Sequence, residues 1–139
     1  MAVVLERIQP EDIERLWFYV KPLIQAGCDA VTTDYTPEFI KAEALANRRT
    51  LWVVFDTDDP FPFLAGLATG ERLTNRGRVV FIDLIGGRNR GCWLTQCLAD
   101  LEAQAKAKGA VSIEIEGRRA WRRVLPDYRE VRTVLAKDL

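Results

Sequence analysis

Between Val79 and Glu116 the chain passes through a β-rich stretch, a glycine-rich turn, a long helical stretch and a second β-rich stretch. No other part of the sequence restricts the fold as much. Val79 to Ile85 is almost wholly apolar and is followed by Gly86-Gly-Arg-Asn-Arg-Gly91. Leu94, Leu98, Leu101 and Ala105 then recur at spacings that put them on one face of a helix. Lys106 and Lys108 complement the negative end of that helix and Gly109 stops it. Val111 to Glu116 alternates strictly, as a half-buried strand does. A low-bulk turn delivered to a helix N-terminus exposes backbone N–H groups to an anion. Arg88 and Arg90 would add charge-assisted contacts there. Glycines also serve merely to turn a chain and loop arginines to meet solvent, so this segment alone leaves both readings open.

The remaining elements follow from the same patterns. Val3 to Ile8 is a short strand, and Pro10 opens a helix whose apolar positions run from Ile13 to Ile24, with Pro22 expected to kink or end it. Gly27 to Tyr35 is expected to be a loop. Thr36-Pro-Glu38 forms an N-cap, a first-turn proline and an acidic first turn for a second helix to about Arg48. Leu51 to Phe55 is an apolar strand, joined through Thr57-Asp-Asp-Pro60 to a strand from Phe63 to Leu73. Gly66 and Gly70 in the latter suggest a bulge or a close backbone approach. After Gly117, Arg118 to Leu125 is a short helix and Arg129 to Ala136 a last strand. The order β-αα-βββ-α-β-α-β describes one α+β domain over residues 1–139, a mixed sheet with helices on both faces.

Composition narrows the chemistry. The chain has no histidine, which removes His-based triads, His-ligated metals and a His general base, and no metal is expected. Cys28, Cys92 and Cys97 form no C-x-x-C and are expected as free thiols, small core side chains in a reducing compartment. No signal peptide or span of about 20 apolar residues is visible, so a soluble, cytoplasmic protein with no membrane partner is expected. The net charge of zero hides an asymmetry: residues 1–71 carry net −6 and residues 72–139 net +6. Arg118, Arg119, Arg122 and Arg123 surround Trp121. Helical spacing turns Trp121, Val124 and Leu125 inward and leaves the arginines as an outer, solvated or self-paired face, so nucleic acid is not expected as a partner.

The element order resembles that of the GNAT acetyltransferase superfamily over essentially the whole chain. That resemblance implies acetyl-CoA as cofactor, its pyrophosphate on the N-terminus of the long helix and its pantetheine between the splayed strands Val79–Ile85 and Val111–Glu116. The family's loop pattern, R/Q-x-x-G-x-G/A, is met here by Arg88-Asn-Arg-Gly91-Cys-Trp93. Arginine and the first glycine match, while tryptophan replaces the second small residue. An indole there either blocks the site or turns into the core, and its place next to the Leu94 stripe favours the core. The implied cofactor contacts are the backbone of Ile82, Leu84 and Ile85 and the segment Arg88, Asn89, Arg90, Gly91 and Cys92. Gly117-Arg-Arg-Ala-Trp121-Arg-Arg-Val-Leu125-Pro-Asp-Tyr128 also resembles GNAT-like proteins of tailed bacteriophages.

Acyl transfer to an amine needs a base for the ammonium proton and is helped by an acid for the leaving thiolate. Without histidine the base must be a carboxylate. By alternation Asp83 shares a face with Val79, Phe81 and Ile85, an apolar setting that would raise its pKa. Glu116 lies at a strand end, on the opposite face from Val111, Ile113 and Ile115, and Glu71 is a weaker candidate. In the GNAT pattern a tyrosine lies four residues after the alanine of the short helix; here that position is Val124, and Tyr128 is the nearest substitute. Two functions are therefore expected. The first is N-acyl transfer from acetyl-CoA to a small-molecule or protein amine. The second is a GNAT-like fold without catalysis that serves a bacteriophage as a virion or self-associating protein, in host cytoplasm or particle.

Overall fold

The computed structural model describes residues 2–31, 35–117 and 121–139. Five strands form one sheet in the order β1 (Val3–Ile8), β2 (Thr50–Asp56), β3 (Ala65–Thr74), β4 (Gly77–Gly87) and β5 (Ser112–Ile115). The first four pair antiparallel, and β5 returns parallel to β4 after the crossover helix α3 (Arg90–Ala107). On one face lie α1 (Ile13–Ala30), entered through a 3-10 turn at Pro10–Asp12, and α2 (Pro37–Leu45), whose N-cap Thr36 accepts the Phe39 N–H. On the other lie α3 and the one-turn α4 (Trp121–Val124).

Each face closes over its own apolar cluster because β2 alternates: Leu51 and Val53 point to α1 and α2, Trp52 and Val54 to α3. The α3 stripe is buried as its spacing requires, with Trp93 and Cys97 added to it. Cys28 is buried too, but Cys92 is exposed on the first turn of α3 rather than in a core.

Helix α1 continues past Pro22 to Ala30, so neither the expected stop nor the expected loop from Gly27 appears at Gly27–Ala30. A proline clashes with the carbonyl four residues back, here that of Phe18, on a turn whose side chain is 82% exposed. The helix gains more by lying directly on β4. A Cβ on Gly86 would collide with the Leu23 carbonyl oxygen, and one on Gly27 would lie 2.7 Å from Leu84 Cδ1. These two glycines let helix and strand touch backbone to backbone.

Strand β4 is irregular where it matters. Ala68 pairs with Leu84 but Thr69 pairs with Ile82, which leaves Asp83 as an extra residue on β4. Ile82 therefore joins the α3 cluster and Leu84 the α1 cluster, which unbroken alternation forbids. The bulge belongs to β4 and not to the glycines of β3, which instead admit Leu23 and the Phe81 ring.

The expected last strand over Arg129–Ala136 is not formed. Tyr128 is held on the α3 face by Glu102, and four residues later Arg132 pairs with Glu114 on the other face. The chain thus crosses the edge of β5 and does not run along it. Val134 and Leu135 beyond the crossing are 81% and 91% exposed. Of the arginine cluster, Arg118 and Arg119 lie outside the described residues, Arg122 pairs with Glu130 at 3.4 Å, and Arg123 is exposed. Trp121 and Leu125 turn inward as expected, whereas Val124 is exposed.

Candidate functional site

The bulge and the end of β5 meet at Ile82–Asp83, and α3 starts a few residues further along from the same strand. Ile82 is the last β4 residue tied across to the β5 segment: its carbonyl accepts the Glu116 N–H at 3.2 Å. From Asp83 to Gly87, β4 has no strand beside it on that edge among the described residues. The β5 pairing ends at Glu116, which leaves the β4 backbone unladdered along that edge among the described residues. Ile82 itself is therefore occupied by the ladder, and the open edge starts one residue later than the sequence implied.

That open edge leads to the first turn of α3. Asn89 adopts the left-handed conformation (φ 53°) that turns β4 into the helix with only Arg88 before it. A Cβ on Gly91 would meet nothing within 4 Å, so this glycine leaves open space that the protein's own packing does not use. Trp93 does not fill that space. Its indole is buried against the α3 cluster, and its Nε1–H donates to the Arg88 carbonyl at 2.6 Å, pinning the turn from beneath. Arg88 and Arg90 bracket Asn89 in the turn and contact different parts of the molecule. Arg88 donates to the Phe63 carbonyl at 3.3 Å, and Arg90 lies 5.3 Å over the Trp121 ring. The exposed Cys92 completes the turn, its N–H bonded to the Asn89 carbonyl.

Asp83 and Glu116 are brought to the same end of the sheet, in contrasting states. Asp83 is 1% exposed and its carboxylate takes the Arg49 Nε–H at 2.5 Å. The apolar setting expected for it is replaced by an ion pair, and Ile85 points to the other face because of the bulge. Arg49, Glu43 and Tyr35 form the rest of this network. The Tyr35 hydroxyl bonds both Asp83 and Arg49; burial, then the charges of Asp83 and Glu116, push its phenol above the usual tyrosine range. Burial alone would lower the Arg49 guanidinium, but its bonds to Asp83 hold it above the ordinary arginine value. Glu116 is exposed and has no ion-pair partner among the described residues.

Further along the same face the guanidinium carbons of Arg49 and Arg72 lie over the Phe81 ring, 5.0 and 5.6 Å from its centroid. Gly70 makes room for the ring. Glu114 takes Arg72 at 2.5 Å and Arg132 at 2.8 Å. Burial works to raise Glu114, and these two arginines outweigh it and hold it below the usual carboxylate range.

Tyr128 is not part of this constellation. It packs on the α3 face, its hydroxyl donates to Glu102 at 2.7 Å, and burial together with that bond pushes its phenol up. Glu71 is likewise turned to Lys108 and Arg78 at the far end of the sheet. Sequence reasoning missed Tyr35 and Arg49. Arg49 was within reach, because it shares the parity of Leu51 and Val53 and so their face; nothing local marks Tyr35.

An open sheet with a bulge in β4, a parallel β5 whose pairing ends beside that bulge and a crossover helix between the two strands is a specific architecture. A GNAT family acetyltransferase from Staphylococcus aureus superposes with a TM-score of 0.65 at 13% identity, each chain covered completely. The fold is the GNAT fold. An aminoglycoside acetyltransferase from an uncultured soil sample, solved with sisomicin, gives 0.69 at 13% identity, with 99% of this chain and 96% of that one covered. A predicted acetyltransferase from Clostridium acetobutylicum, solved with acetyl-CoA, gives 0.61 at 17% identity, with 99% and 96% covered. No family model and no curated protein matches the sequence. Among the described residues no helix is long and apolar enough to cross a membrane.

Proposed function

We propose that this GNAT-like chain binds acetyl-CoA in the β4–β5 cleft and transfers the acetyl group to an amine by direct attack. What carries this reading is the coincidence of two open features. One is the unladdered edge of β4 from Asp83 to Gly87; the other is the helix turn at Gly91, where the missing side chain leaves space. The first offers backbone partners to the amides of a pantetheine, chiefly along Leu84 and Ile85. The second offers helix N–H groups to a pyrophosphate, with Arg88 and Arg90 on either side and Asn89 and Cys92 in contact. The structural neighbours support the class of reaction. The burial of Trp93 removes the steric objection that favoured a non-enzymatic role.

Of the two carboxylates, Glu116 suits the base. It stands at the fork, exposed and unpaired among the described residues, whereas Asp83 is committed to Arg49 and Tyr35. Asp83 then acts as a positioning residue that fixes the bulge and the Tyr35 ring.

Cys92 provides the test, because Cys28 and Cys97 are buried and burial pushes the Cys97 thiol up to about 12. A thiol reagent should label Cys92 alone in the folded protein. Acetyl-CoA should slow that labelling several-fold, and Arg88→Ala should weaken the protection. Labelling that is unchanged at millimolar acetyl-CoA refutes the reading.

A further inference from the structure

The acceptor side of the cleft has a charge pattern that narrows the amine it can hold, an inference that rests on the acyl-transfer reading above. Among the described residues the carboxylates of Asp83, Glu43, Glu114 and Glu116 lie at or near this face, and the first three are already neutralised. Asp83 is held by Arg49, Glu43 by Arg48 and Arg49, and Glu114 by Arg72 and Arg132. Only Glu116 among them has no cation in contact among the described residues. Tyr35 lies close enough to feel the charge of Glu116. Tyr35 stacks on Phe39 with ring centroids 5.7 Å apart and planes at 11°, and Phe39 remains 44% exposed. The end of α1 closes in at the same point, since a Cβ on Gly117 would lie 3.6 Å from Val31 Cγ1.

We infer that the acceptor is a primary amine bearing a single positive charge on an aromatic group, its ammonium on Glu116 and its ring on the Tyr35–Phe39 stack. Three physical points support this. One free carboxylate balances one ammonium. A polycation would bring its further charges against Arg72 and Arg132, and like charges on a surface repel. The Tyr35 hydroxyl is anchored by Asp83 and Arg49, and its raised pKa keeps it neutral, so the stack stays an uncharged ring surface. Phe81 is less suited, because two guanidinium groups already lie over its ring.

In the reaction Glu116 takes one proton from the ammonium and releases it to solvent. The amine nitrogen forms a bond to the thioester carbonyl carbon as the carbon–sulfur bond breaks. The second nitrogen proton, passed through Glu116, neutralises the departing thiolate.

The test is amine binding to the full chain by NMR titration, with and without CoA, beside the Cys92 protection assay. 2-Phenylethylamine should bind about tenfold more tightly than spermidine, because spermidine carries two surplus charges. Phe39→Ala, and Phe39→Leu as a variant that keeps the apolar side chain, should each weaken it by about two- to tenfold. Glu116→Gln should abolish it. Spermidine or sisomicin binding as tightly, no binding of phenylethylamine, or indifference to both Phe39 variants would each overturn the inference. The two readings fail separately. Protection of Cys92 without aromatic preference sinks the acceptor class alone. Glu116-dependent phenylethylamine binding without Cys92 protection sinks acyl transfer and leaves the amine site standing.

Discussion

The two faces of the sheet each bury an apolar cluster and differ in what surrounds it. The α3 face is apolar throughout its interior, and its buried polar groups are few and locally satisfied, as with the Trp52 indole on Thr69 at 2.9 Å and Trp93 on the Arg88 carbonyl. The other face closes over its own apolar cluster beneath α1 and α2, with α1 lying on Gly66 and Gly86. Beyond that it is a layer of arginines, carboxylates and rings around Phe81 and the β4 bulge. Burial stabilises the first face. The second holds charges in a half-buried setting, which costs desolvation and persists through mutual pairing. The second face carries the candidate chemistry, because there the Asp83–Arg49–Tyr35 network lies near the exposed Glu116.

This contrast can be broken from either side. The largest effect should come from Trp93→Ala on the apolar face: about 3–5 kcal/mol of stability, as for other buried aromatics, measured by urea unfolding. Survival with less than 1 kcal/mol lost would mean the indole is not the keystone of the α3 cluster. Arg49→Met should cost about 2–3 kcal/mol, somewhat below the value for a fully buried pair, because Asp83 is left without its cation. Full stability in that variant would show the ionic layer to be dispensable.

A smaller effect lies in acid. Glu114 is held below its ordinary value, so its pairing stabilises the fold above the unfolded carboxylate pKa and is lost as pH falls through the lower folded value. Removing both arginines, Arg72→Ala with Arg132→Ala, should therefore flatten the loss of stability below about pH 4.5. An unchanged acid limb would place the linkage elsewhere. The smallest effect on stability, under about 0.5 kcal/mol, should come from Glu116→Gln, which is exposed. If acyl transfer survives that change, Glu116 is not the base.

Much of this was legible along the chain. The α3 stripe, the β5 alternation and the apolar β2 are local patterns whose burial follows from period alone, and they carried the element order and the GNAT likeness. The turn at Arg88–Gly91 was visible for the same reason. Pro22 misled because helix propensity is local while the gain from laying α1 on Gly86 is not. The last strand misled in the complementary way: Val131, Thr133 and Leu135 have a strand's composition, but Tyr128 and Arg132 are tied to opposite faces and carry the chain across β5. The states of the two carboxylates were not legible at all. Asp83 and Glu116 look alike in sequence, and one extra residue in β4 sends the first onto Arg49 while the second stays at the fork.

By itself, then, the sequence determined what could be read at short range: which segments are helix or strand, which side of each is apolar, and where a helix N-terminus stands open. Only the tertiary structure decided that Tyr35, Arg49, Asp83 and Glu116, from four separate segments, come close together. Periodicity is a property of neighbours in the chain. The pairing of charges depends on distances across the sheet, which a bulge of one residue can reset.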